Sequence, residues 1–269
     1  MTDSSHQVNM DPRGLYEAYS GAVAYVEAED PNGDSFVGTA FHIGSGVFIT
    51  ARHVVEDCKI VCVRTTTTHY IPDPNGHCQI HGEPGRFRIV GPSEGIVRSG
   101  PYFHPDSSID IAVLMIDGLE PPAIPLGSHL DDWMNDEAFI LAQIVVMGYP
   151  PIPFSKTPVL VAARGEVNAV VDKDAERHPH FVVSTMARGG FSGGPCLVEW
   201  GFALGLVTES LMRRGDLPLE LGYMAVLTVE PIFTCLQYHK LVPKEQKEGW
   251  DGLWDDREKE ELNEALDEH

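Results

Sequence analysis

The sequence predicts an all-β protein of two successive halves, arranged as two barrels or a sandwich. Three observations carry that reading. Short runs rich in β-branched residues recur at close spacing with turn residues between them. A link at residues 118–125 holds Pro121, Pro122 and Pro125 and divides the chain into two halves of similar β character. Helical periodicity is confined to the two ends, as a sheet-built core requires.

The elements follow in order. Asp11 before Pro12 is an N-cap followed by proline at the first helical position, opening a short helix through about Tyr19. Residues 22–28 read as a strand, stopped by the turn Asp30-Pro31-Asn32-Gly33-Asp34. Residues 35–43 and 47–50 are further strands around Gly44-Ser45-Gly46, and residues 58–67 another. Residues 69–86, rich in Pro, Gly and His, read as a loop; strands at 87–90 and 109–116 follow. The second half gives strands at 144–149, at 159–171 around Gly165, at 181–183, at 203–207 and at 223–227. Residues 230–241 place Ile232, Cys235 and Leu236 at helical spacing and read as a closing helix. Residues 243–269 form an acidic tail, in which Trp250, Leu253 and Trp254 share one face if it is helical. The expected organisation is thus an N-terminal segment at 1–19, a body at 20–242 with halves at about 20–120 and 135–230, and the tail.

Composition narrows the function. The chain has 269 residues, enough to bury a sizeable core, and a formal net charge of −21. Such a surface repels phosphate backbones and anionic lipid, so neither nucleic acid nor membrane is an expected partner. Residues 1–7 show no basic region or apolar run of a secretory leader, and no apolar run is long enough to span a bilayer. Five unevenly spaced cysteines and no glycosylation sequon fit reduced thiols in the cytoplasm.

The chemistry centres on Arg188-Gly189-Gly190-Phe191-Ser192-Gly193-Gly194-Pro195. Glycines on both sides let the backbone turn sharply and leave the serine hydroxyl uncrowded. The N–H groups of Gly190 and Ser192 would then converge beside that hydroxyl, as acyl transfer requires of a nucleophile and its oxyanion donors. A serine needs a base. Of twelve histidines, His69, His77, His81, His178 and His180 fall in stretches that read as polar loops, whereas His53 ends the apolar run Ile49-Thr50-Ala51-Arg52-His53. Asp110 interrupts the apolar run at 109–116, where a carboxylate is costly unless paired; a hydrogen bond to imidazole would resolve that cost.

Four segments together resemble the landmarks of trypsin-like (chymotrypsin-fold) serine peptidases, with a flavour of bacterial HtrA-like and intracellular members. They are Gly38-Thr39-Ala40-Phe41, the stretch around His53, Asp110-Ile111-Ala112-Val113-Leu114, and Gly190-Phe191-Ser192-Gly193-Gly194-Pro195, in that family's order. The resemblance implies two six-stranded antiparallel barrels with the site between them. It implies Ser192 as nucleophile, His53 as base, Asp110 as its orienting acid, and Gly190 and Ser192 as the oxyanion hole. Substrates would be proteins or peptides, with no cofactor. Met186 would floor the specificity pocket, and residues 207–210 would line it and pair with substrate backbone, with Thr208, Glu209 and Ser210 as candidate contacts. Glu209 would either favour a basic substrate residue or face water.

This chain departs from digestive members in having Phe191 immediately before the serine, where they carry an aspartate that pairs with a freshly cut N-terminus. Activation by N-terminal cleavage is therefore not expected, and the site is either always formed or switched by a regulatory protein partner, for which the tail is the candidate. Cys58, Cys62, Cys78, His77 and His81 match no standard zinc spacing, and no metal is expected. Two alternatives remain. Gly190-Phe191-Ser192-Gly193-Gly194 also fits a nucleophile elbow, with Asp216 and His239 as the available partners, but no βα alternation precedes it. A trypsin-like scaffold kept as a binding module would also satisfy the pattern.

Overall fold

The structure is a computed structural model that describes residues 9–79, 85–127, 139–172, 178–185, 189–213, 219–247 and 263. It opens with α1 (Pro12–Tyr19), capped where the sequence requires: Asp11 Oδ1 accepts from the Gly14 N–H at 2.6 Å. The first half contributes β1 (Val23–Glu29), β2 (Ser35–Gly44), β3 (Val47–Thr50), the helical turn α2 (Arg52–Val55), β4 (Lys59–Thr65), β5 (His69–Pro72), β6 (Phe87–Val90), β7 (Glu94–Phe103) and β8 (Ala112–Asp117). The second contributes β9 (Gln143–Gly148), β10 (Val161–Asp172), β11 (Pro179–Val183), β12 (Pro195–Val198), β13 (Ala203–Arg213), β14 (Leu219–Thr228) and α3 (Glu230–Tyr238).

Two closed six-stranded barrels result, ordered β1-β2-β3-β8-β7-β4 and β10-β11-β14-β13-β12-β9. Every pairing within them is antiparallel. Local chemistry sets the registers. Asp30 Oδ1 accepts from the N–H groups of Asn32 and Asp34 at 2.8 and 2.9 Å, and Gly33 takes a φ of +88°, so the chain reverses and Glu29 pairs with Ser35. Closure leaves each barrel filled by its inward side chains. Phe41, Phe48 and Ile49 are fully buried in the first half, and Val146, Phe181 and Leu206 in the second, on one or the other face of their strands. Each such side chain contributes on the order of 2 kcal/mol by burial.

The structure departs from the sequence reading in several places, among them β12 and α2, which were not read from the sequence. Asp110 lies two residues before β8 rather than inside a strand, and it is partly exposed. Residues 69–72 and 87–90 pair as a small sheet of their own, β5 with β6, where a loop was expected for the first of them. β7 was not legible, because Gly95, Gly100 and Pro101 interrupt it and its pairing with β8 shifts register between Val97 and Ser99 and between Ser99 and Tyr102. His69, His178 and His180 are buried, not loop residues in water, and His69 and His180 lie in β5 and β11.

The two ends of the chain tie the barrels together. The Met10 N–H bonds Glu199 O at 2.7 Å and the Tyr19 hydroxyl bonds Gly201 O at 2.9 Å, so α1 rests on the second barrel before the chain enters the first. α3 returns to the first barrel, where His239 Nε2 meets Phe103 O at 2.7 Å. The chain then runs along that barrel through residue 246. Gln246 is buried, donating to Ile43 O and Ile124 O at 2.7 and 2.8 Å and accepting from the Leu126 N–H at 2.9 Å. The expected tail helix lies outside the described residues.

Candidate active site

Elementary sterics place the Ser192 turn against the first barrel. Gly193 has a φ of +83°, and a Cβ there would sit 2.6 Å from Thr50 Oγ1 and 2.8 Å from Ala51 N, besides striking Thr39 O. Only glycine lets the serine turn press on the end of β3 and the start of α2. Thr39, on β2, completes the seam. Its N–H donates to Ser192 O at 3.0 Å, and its carbonyl accepts from the Thr50 hydroxyl at 2.7 Å. Its hydroxyl donates to Gly190 O at 2.6 Å while accepting from the Tyr149 N–H at 3.0 Å. A single buried threonine thus links the turn of the second barrel to the strand that leads to His53.

His53 sits on α2. Its Nδ1 is 2.7 Å from Asp110 Oδ2, and its backbone N–H donates to Asp110 Oδ1 at 3.0 Å. A carboxylate accepts only, so Nδ1 carries the proton and the neutral ring keeps its lone pair on Nε2. The two-point hold fixes the ring, although its side chain is 51% exposed and that of Asp110 27%. Neighbouring Arg52 is pinned by Glu56 at 2.7 Å and lies 4.7 Å over the Phe103 ring, which stiffens the short helix.

The Ser192 hydroxyl donates to Thr208 O on β13 at 3.4 Å. Around it the turn is set by Gly193 N–H to Val207 O at 2.8 Å, Val207 N–H to Gly194 O at 2.9 Å, and Gly194 N–H to Phe191 O at 2.8 Å. The Gly190 carbonyl is turned inward to Thr39, and Gly190 takes a φ of +91°. Among the described residues neither the Gly190 nor the Ser192 N–H has a backbone acceptor. Phe191 is fully buried against Gly148, where a Cβ would stand 2.8 Å from its ring.

The remaining predicted residues divide. Thr208 is buried, and its hydroxyl faces Ala225 O at 3.5 Å within the sheet, so what it offers the site is its carbonyl. Glu209 and Ser210 continue β13. Met186 lies outside the described residues. Cys58, Cys62 and Cys78 are free thiols, and among the described residues no cluster of three or more His, Cys, Asp or Glu side chains could hold a metal; His81 lies outside them. Asp216 also lies outside them, while His239 is committed to Phe103 O in the first barrel.

Sequence reasoning missed Thr39, Thr50 and Tyr149. Thr39 lay in a quoted landmark segment, but only the fold shows its hydroxyl meeting Gly190. Tyr149 is buried between the barrels, its hydroxyl bonded to Val23 O and Thr66 Oγ1 at 3.1 and 3.0 Å. Burial pushes its phenol up to about 12, so it stays neutral.

Comparison with known proteins agrees with this fold. The sequence profile described as the trypsin-like peptidase domain matches residues 38–206. None of the curated proteins matches the chain significantly. Among solved structures, the active form of the Rv3671c protease from M. tuberculosis superposes with a TM-score of 0.54 at 19% identity, covering 88% of this chain and 92% of that one. The inactive form of Rv3671c protease gives 0.52 at 19% identity, with 83% and 91% covered. The HtrA-type protease AlgW, in a variant with a tripeptide, gives 0.56 at 15% identity, covering 85% of this chain and 63% of its own. At such identities the likeness is one of fold. With two closed antiparallel barrels and a matching profile over more than half its length, the chain belongs to the trypsin-like peptidase family and has the chymotrypsin fold.

Proposed function

We propose that this protein is a serine endopeptidase that cleaves protein or peptide substrates through an acyl-enzyme. The observation that carries the reading is the Asp110–His53 pair, held at two points on an element against which the Ser192 turn is packed. His53 Nε2 takes the hydroxyl proton as Ser192 Oγ attacks the scissile carbonyl, and Asp110 stabilises the imidazolium. The oxyanion forms before the N–H groups of Gly190 and Ser192. Collapse returns the proton from His53 to the leaving amine, and water repeats the sequence to release the acid. Protonating His53 beforehand removes the base, so the rate falls on acidification.

Phe191 supports a site that forms without N-terminal cleavage, because burial of its ring anchors the serine turn from within the domain. The free thiols of all five cysteines fit a reducing compartment and a regulatory rather than digestive role. Primary specificity falls to Met186 and the β13 segment Thr208, Glu209 and Ser210. Covalent labelling with a fluorophosphonate tests the reading: the wild type is expected to label and Ser192→Ala is not. Equal labelling of the two, or none of the wild type, refutes it and favours a non-catalytic scaffold.

A further inference from the structure

The small sheet of β5 and β6 is built as a rigid platform. His69 is buried, its Nε2 donates to Glu120 O at 2.9 Å, and a Cβ on Gly21 would stand 2.4 Å from its ring, so β5 is clamped against the entry to β1. β6 is held by Cys78, whose N–H meets Phe87 O at 3.0 Å and whose carbonyl meets the Phe87 N–H at 2.9 Å. Side chains alternate across such a pair of strands. With His69 turned inward, Tyr70 and Ile89, which stand opposite one another, face the other way and are 50% and 53% exposed. An aromatic–aliphatic cross-strand pair packs well and gains by being covered. Among the described residues no third strand joins this sheet.

We propose that this face seats the chain's own acidic tail, residues 248–269, with Trp250, Leu253 and Trp254 laid on Tyr70 and Ile89. Reach is the first argument. Gln246 donates to Ile124 O, and Glu120, which holds His69, lies four residues earlier on the same link. Four residues span at most about 14 Å, whereas residues 248–254 extend up to about 25 Å. The tail therefore leaves the body beside the platform and is long enough to meet it.

Pattern is the second. Trp250, Leu253 and Trp254 fall on one side of a helix, and Asn263, further along the tail, is helical and exposed. Charge is the third. Residues 248–269 hold ten acidic residues and two basic ones, on a protein of net charge −21 that repels them from most of its surface. The platform is an exception. Asp73 and Glu120 are both engaged by Arg88, and Arg86, exposed at the start of β6, has no carboxylate partner among the described residues.

The test uses the full chain with p-benzoylphenylalanine in place of Tyr70. After irradiation, mass spectrometry locates the crosslinks. They are expected within residues 248–269, in a product of monomer mass. Ile89→Ser alters an exposed position and is expected to fold; it should lower the yield about five-fold, the scale of half a buried aliphatic side chain. Arg86→Glu should lower it about three-fold, as should added salt. Crosslinks to the tail found only at dimer mass assign the face to a second copy and overturn the proposal. Crosslinks that avoid residues 248–269, or none at all, overturn it too. A yield that neither variant lowers marks collision without docking and has the same force.

Discussion

Replacing Thr39 by valine deletes one hydroxyl and keeps its volume. That hydroxyl donates to Gly190 O at 2.6 Å and accepts from the Tyr149 N–H at 3.0 Å, in a position with no solvent exposure. Each buried hydrogen bond is worth about 1 kcal/mol net, and a partner left unsatisfied costs about 1–3 kcal/mol. Relief comes from the Tyr149 N–H, which also reaches Gly190 O at 3.2 Å. Neither group is left wholly unpaired, and the loss of folding stability should be about 2 kcal/mol. The catalytic loss is separate. On the proposed mechanism Gly190, released from Thr39, no longer presents its N–H in one orientation, and a weakened oxyanion donor costs about 1.4–2.8 kcal/mol in the transition state, or roughly ten- to a hundred-fold in kcat/KM. Urea denaturation measures the first quantity and peptide hydrolysis the second. Thr39→Ser keeps the hydroxyl and should recover most of the rate. A valine variant as fast as wild type, or a serine variant as slow as valine, would refute Thr39 as the residue that positions Gly190.

Two further outcomes concern stability. Burial, and secondarily His178, lowers the pKa of His104 from 6.5 to about 4. The unfolded chain therefore binds the proton first, and the stability this group contributes is intact above pH 6.5 and lost as pH falls from there to 4, by about 3 kcal/mol in all. Denaturation midpoints across that window should fall less steeply for His104→Asn than for wild type; parallel curves would exclude His104 as the cause. Truncation after Lys247 is the reference. Truncation after Val242 also removes Gln246 and its three bonds to Ile43, Ile124 and Leu126, and should lower stability by about 2–3 kcal/mol. Equal midpoints would show that this segment carries none of the fold.

Much of the fold was legible because its signals are local. Asp11 and Pro12 set α1, the Asp30 turn set the first hairpin, and the prolines at 121–125 marked the passage between barrels. β7 was not legible, since bulges and Gly-Pro break the alternation that betrays a strand. The buried histidines misled for a related reason. His69, His178 and His180 sit among polar neighbours in sequence, and only tertiary packing removes them from water. At the site, residue types and order pointed to His53, Asp110 and Ser192, and the structure joins the first two directly. The support beneath them was invisible, because Thr39 meets Gly190 across 151 residues of chain. Asp110 was found partly on a mistaken premise: the burial that seemed to demand a partner is incomplete, and the pairing stands on hydrogen bonds instead.

Phe191 bears on how this protein responds to its surroundings. A serine turn held by an ion pair loosens in concentrated salt and lets go when its carboxylate is titrated. A turn held by a sealed phenyl ring feels neither change, because its hold comes from water's preference to exclude hydrocarbon. That preference weakens on cooling. The lever that reaches the shape of this loop is therefore temperature, and the cold is where its grip on Ser192 slackens first.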